Sequence, residues 1–185
     1  MSCFKTTRNC HILGRKHNVP KEKFETSTAR EFIIADQFYK KYLKDQSTKN
    51  LNLLCATLCR PATSKAESII LEDNRIKLIS RNHAEKTAWK FRFVPRWKKI
   101  CLIAYFGACK KTIDDVYGPY LFHKSEDSGT KKSGSIDFGW NGFFMSIAES
   151  NIFGKFDQVV DTRLHTVLFY ALKKVTEAEE SNTKN

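Results

Sequence analysis

The chain has 185 residues, 41% of them hydrophobic and 28% charged, which suits one soluble globular domain. Its formal charge of +12 comes from 32 Lys+Arg against 20 Asp+Glu and excludes an acidic, solvating, disordered chain. The longest apolar run, Ile100 to Cys109, is half of the roughly 20 residues that cross a bilayer, so no membrane span is expected.

The N-terminal residues carry no apolar stretch of signal-peptide length, and a cytoplasmic protein with reduced thiols is expected. Cys55 and Cys59, and likewise Cys101 and Cys109, repeat on one helix face and read as small buried hydrophobes. A metal site assisted by His11 or His17 would need Cys-x2-Cys spacing, which is lacking. No metal and no cofactor is expected.

Residues 1–25 read as a basic N-terminal arm or a short hairpin, with Phe4 and Ile12-Leu13 flanking a polar stretch, Gly14 following and Pro20 ending the section. Thr28 and Glu31 have capping-box spacing, and Phe32, Ala35, Phe38, Tyr39, Tyr42 and Leu43 follow at helical period, so a helix is predicted over 28–45. A second helix carries Leu51, Leu54, Cys55 and Leu58 and stops at Pro61. The short link predicts an antiparallel pair. Ile69–Leu71 and Ile76–Ile79 flank an Asp-Asn turn and suggest a hairpin, with a long connection carrying short helical pieces as the competitor. Trp89, Phe91 and Phe93 alternate with Lys90 and Arg92, which is strand period.

The third helix, Trp97 to Val116, is apolar on most faces and is expected at the centre of the core, ending at Gly118-Pro119. Residues 123–137 read as a flexible loop. Trp140–Asn151 is a short helix, and Phe156–Val175 forms one long final helix with a frayed polar tail over 177–185. The expected fold is mainly α: a single helical domain over 26–176, with about five helices and a small β-hairpin accessory.

The most basic stretch runs from Arg75 to Lys99, with nine Lys/Arg against Glu85 alone. Lys90, Arg92, Arg96 and Lys98 interleaved with Trp89 and Trp97 suit single-stranded nucleic acid, which needs cations for phosphates and rings for bases. The same pattern also fits an ordinary amphipathic segment with rings inside and cations outside. The loop Gly129–Ser135 lacks the Lys after its second Gly that a P-loop needs. Asp161 and His165, four apart on the predicted last helix, fit an acid–base or metal pair less well than a surface pair supporting the helix. Asp114 and Asp115 diverge on a helix and make no dyad. No catalytic residues are assigned, and a non-enzymatic protein is expected.

Several segments carry a resemblance: HNVPKEKFETSTAREF, the paired helices IADQFYKKYLKD and NLNLLCATLCRP, the helix ICLIAYFGACKKTID, YGPYLF, then a Trp-initiated helix, Phe153-Gly154 and a long last helix. In these the chain resembles small proteins encoded in the tail-morphogenesis regions of phages and prophages of Bacteroidetes. The resemblance spans about His11 to Val175 and implies a tail-assembly factor or minor structural component that binds another tail component, in the host cytoplasm or on the virion. Phe38, Tyr39, Phe143 and Phe144 are candidate partner contacts for such a role, and all four also fit a core. The basicity departs from that picture and keeps nucleic acid as the alternative partner. It is concentrated in residues 1–100, while 101–185 hold 10 Lys+Arg and 11 Asp+Glu.

Overall fold

The computed structural model describes residues 9–63, 74–121 and 139–182. The proposed 123–137 loop and the first half of the 69–79 hairpin lie outside them. The chain is mainly helical with a small antiparallel sheet of order β1-β2-β3.

Strands β1 (Asn9–Ile12) and β2 (Arg15–Asn18) form a hairpin, one of the two alternatives read for the N-terminal segment. Leu13 and Gly14 both have positive φ (50° and 76°), the two-residue turn whose twist matches the strands. The third strand, β3 (Arg60–Pro61), pairs with β2 through His17–Pro61 and Asn18–Arg60. Pro61 sits at the sheet edge, where its missing donor costs little.

Helix α1 (Ala29–Asp45) starts where expected, with the Glu31 N–H donating to the Thr28 hydroxyl at 3.2 Å. Gln46 adopts a left-handed conformation and ends it, and Ser47 caps α2 (Thr48–Leu58) through Asn50 N–H at 3.1 Å. That two-residue link folds α2 back along α1. Helix α2 is buried on nearly every side from Leu53 to Leu58. It therefore takes the central place that the sequence assigns to the third helix.

Helix α3 (Arg81–Ala88) runs directly into a 3₁₀ turn, Trp89–Phe93. The alternating rings are thus not a strand. Two residues advance about 240° around a 3₁₀ turn, so Phe91 points inward while Trp89 and Phe93 point out, which imitates strand period over three positions. Residues 76–79 likewise form no strand; the described pairing at their base is a single bridge between Ala62 and Arg75.

Helix α4 (Arg96–Leu121) buries only one stripe, Lys99, Leu102, Phe106, Cys109 and Ile113. Its other side faces solvent, which corrects the expectation of a helix enclosed all round. It also continues through Gly118-Pro119 by one turn, where Pro119 is exposed and water can meet the carbonyl it leaves unbonded.

Helix α5 (Gly139–Glu149) lays Trp140 and Phe144 into the core, with Trp140 edge-on to Phe32 at 5.0 Å. The last predicted helix is two: α6 (Phe156–Asp161) and α7 (Leu164–Asn182). Between them Thr162 is extended. Its carbonyl accepts from Ala29 N–H at 3.1 Å, and Ser27 O accepts from Leu164 N–H at 2.9 Å. The helix breaks to seat the start of α1. Helix α7 then runs to Asn182, past the expected frayed end, with Lys174 paired to Glu177 at 2.7 Å. No helix among the described residues is long and apolar enough to cross a membrane.

Candidate interaction surface

Two adjoining grooves open where the end of α1, the start of α2 and the α3–3₁₀ turn meet. The first is lined by Lys41, Lys49, Arg81, Glu85, Trp89 and Arg92, among others. The second is lined by Thr48, Leu51, Arg92, Phe93 and Arg96, with Lys99 beneath. Arg92 and Thr48 belong to both.

The local fold explains the exposure. Phe91 is buried and anchors the turn, and the Lys99 ammonium inside the protein donates to Phe91 O at 3.2 Å and to Asn52 Oδ1 at 3.0 Å. With the turn pinned from below, Trp89 and Phe93 stand 54% and 62% exposed. They contact each other edge to face, centroids 6.4 Å apart, so the pair is preformed.

The structure divides the residues proposed for nucleic acid. Trp89, Arg92 and Arg96 line the grooves, and Phe93 joins them. Trp97, 59% exposed, lines neither groove and lies on the open side of α4, with the Lys98 ammonium 5.4 Å from its ring centre. Lys90 is half-buried, and its charge acts on His17 of β2. Of the nine cations counted from 75 to 99, Arg75 and Lys99 are buried, Lys77 is paired to Asp161 at 2.9 Å and Arg81 to Glu85 at 2.9 Å. The surface is therefore less basic than the segment.

The proposed partner contacts also divide. Phe38 and Phe144, 1% and 0% exposed, are core residues, which removes them as contacts. Tyr39 and Phe143 are half-buried against that core, and Tyr39 packs edge-on to Phe106 at 5.2 Å. Sequence reasoning missed Phe93, Lys41 and Lys49 as groove residues. Phe93 was visible in the alternation, whereas the two lysines come close only through the α1–α2 turn.

The Asp161–His165 pair does not form. The break at Thr162 puts the two residues on separate helices. Asp161 accepts from Arg30 at 2.7 Å and from Lys77 at 2.9 Å. Burial alone would raise its carboxyl, but those two cations hold it below the usual carboxylate range. His165 instead donates from Nε2 to Lys23 O at 2.7 Å, with Nδ1 3.3 Å from the Tyr117 hydroxyl. Cys55, Cys59 and Cys109 are buried thiols, and burial pushes the Cys109 thiol up. Among the described residues no group of three or more His, Cys, Asp or Glu gathers as metal ligands.

One cluster was not read from the sequence at all. Glu31 is fully buried between Arg60 and Arg75, with Arg60 at 2.7 Å. Arg75 binds both Glu31 oxygens and also donates to Leu58 O at 3.0 Å. Glu31 thus supplies its backbone to the Thr28 cap but spends its carboxylate elsewhere, so the capping box is half made. Compared with protein-family models, with curated proteins and with solved structures, the chain matches none.

Proposed function

We propose that this protein is a non-enzymatic component of a phage or prophage tail module, an assembly factor or minor structural protein that docks a protein partner in the Trp89–Phe93 grooves. The observation that supports this reading is the preformed, exposed Trp89–Phe93 pair beside the exposed guanidinium of Arg92. Large rings and Arg are the residues that anchor protein interfaces, because the rings bury much area at low conformational cost and the planar guanidinium offers several donors in a fixed geometry. The cations around the rings favour a segment with acidic side chains next to an apolar anchor. Asp45 and Glu85 interrupt the basic lining and favour a protein chain over a continuous phosphate track. Pull-down against tail-tube and tape-measure proteins at moderate salt tests it. Retention by the wild type and loss by Trp89→Ala with Arg92→Ala is the expected result, and no retained tail protein counts against it.

Single-stranded nucleic acid is the second reading. It is favoured by Lys41, Lys49, Arg81 and Arg92 converging on the groove that holds Trp89. Binding would then fall linearly with salt on logarithmic axes. Absence of a band shift at low salt removes it.

A further inference from the structure

We propose that two copies of this chain pair through the open side of α4, with the helices antiparallel and crossing at the level of Phe106. The six positions that face the second copy line neither groove; Arg96, at the rim of this surface, also lines the second groove.

Six exposed positions follow one another along this side: Trp97, Ile100, Ala104, Ala108, Thr112 and Asp115. At about 100° per residue all lie within roughly 60° of one line, opposite the buried stripe of Phe106 and Ile113. Their spacing is the same read in either direction. Turning a second α4 end for end about level 106 therefore brings Ala104 against Ala108, Ile100 against the layer of Thr112, and Trp97 against Asp115. The alanines at the crossing point let two backbones approach closely. The Thr112 hydroxyl is turned back to Ala108 O at 3.1 Å, which leaves its methyl outward for Ile100 of the other copy. Lys111, in the same layer, lays its methylenes along the contact and keeps its charge in water.

Charge selects this orientation. The first turn carries Arg96 and Lys98 on either side of Trp97, and the far end carries Asp115, with Asp114 beside it. Neither Arg96 nor Asp115 has an ion-pair partner among the described residues. A parallel pair would set like charges together at both ends. The antiparallel pair sets Arg96 of each copy near Asp115 of the other and gives the Trp97 indole N–H a carboxylate to donate to. Helix dipoles also oppose one another favourably in this arrangement. The contact is isologous, as closed two-fold assemblies require.

Sedimentation equilibrium of the full chain tests the proposal. The wild type is expected to be a dimer at about 100 μM. Ala104→Arg and Ala108→Arg, each placing a charge at the crossing, should weaken dimerisation about tenfold or more. Both positions are exposed, so folding is retained, and circular dichroism melting reports it. Arg96→Glu and Asp115→Arg should each weaken the dimer, and the two combined should restore it. A wild type that sediments as a monomer overturns the proposal. So does a dimer indifferent to Ala104→Arg and Ala108→Arg, or a double reversal that is weaker than either single one. Trp89→Ala, in the groove, should leave the dimer intact, which separates this outcome from that of tail-partner docking.

Discussion

Arg75 and Glu31 lie 44 positions apart in sequence and form a doubly bonded ion pair with both side chains removed from water. Arg60 makes the cluster one anion between two cations. Removing the anion strands two buried guanidinium groups, which is far costlier than losing a surface pair. Glu31→Ala should therefore destabilise the fold by about 3–5 kcal/mol. Thr28→Ala, which removes only the helix cap, should cost about 1 kcal/mol. Urea melts of the two variants check the ranking. Equal losses would return Glu31 to an ordinary capping role.

The four aromatic residues in two environments should separate binding from stability. Phe38→Ala and Phe144→Ala each open a cavity in a closed core and should cost about 3–5 kcal/mol. Trp89→Ala and Phe93→Ala remove exposed rings and should shift stability by less than about 1 kcal/mol. If the grooves hold the partner, the second pair loses retention in a pull-down while keeping the wild-type melting curve.

Acid should loosen the hairpin before it unfolds the rest. His17 is buried in β2, and a carbonyl, Arg15 O at 2.9 Å, fixes the proton on Nδ1. Burial chiefly, with help from Lys90 and Arg15, holds its pKa below the ordinary 6.5. Burial next to Arg60 and Lys86 does the same to His83. The unfolded chain therefore binds more protons than the folded one once the pH drops below about 6.5. The contribution is fully present above that value and is lost as pH falls through the folded pKa. Melting temperature followed from about pH 8 to pH 5 should decline, and His17→Leu should flatten the decline.

Gly154 should resist substitution. Its φ is +80°, and a Cβ there would lie 1.9 Å from the Gln158 side-chain oxygen. That oxygen accepts from Lys155 N–H at 2.8 Å and caps the start of α6. Gly154→Ala combines backbone strain with the loss of this cap and should destabilise by about 1–3 kcal/mol. Gly14→Ala, equally left-handed but open to solvent, isolates the backbone part and should cost less. Thermal melts of both compare the two contributions.

The first two helices were legible because their signals are local. The Thr28–Glu31 spacing and the apolar period that follows in each helix require only neighbouring residues. It misjudged which helix is central because apolar content does not reveal what packs outside. Helix α2, with Leu53 and Cys55 on different sides, is enclosed by α1, α3 and α4, whereas α4 keeps Trp97 and Ile100 in water. The break at Thr162 left no local mark, since Val159, Val160 and Leu164 keep helical period across it. Its cause is the backbone of Ser27 and Ala29, more than 130 residues earlier. The Glu31 cluster was hidden for a similar reason. A capping box and a buried ion pair use the same Glu, and only the tertiary fold shows Arg60 and Arg75 beside it.

The bridge between Thr28 and Arg163 also bears on synthesis. The chain leaves the ribosome from its N-terminus, so α1 emerges with its first backbone groups unclaimed. Their partners, Thr162 and Leu164, are made only after more than 130 further residues have been translated. Until then the apolar side that receives α6 and α7 has nothing to close on. The helical body should therefore seal in one late step, and a ribosome stalled before residue 164 should hold a protease-sensitive chain rather than a nearly finished domain.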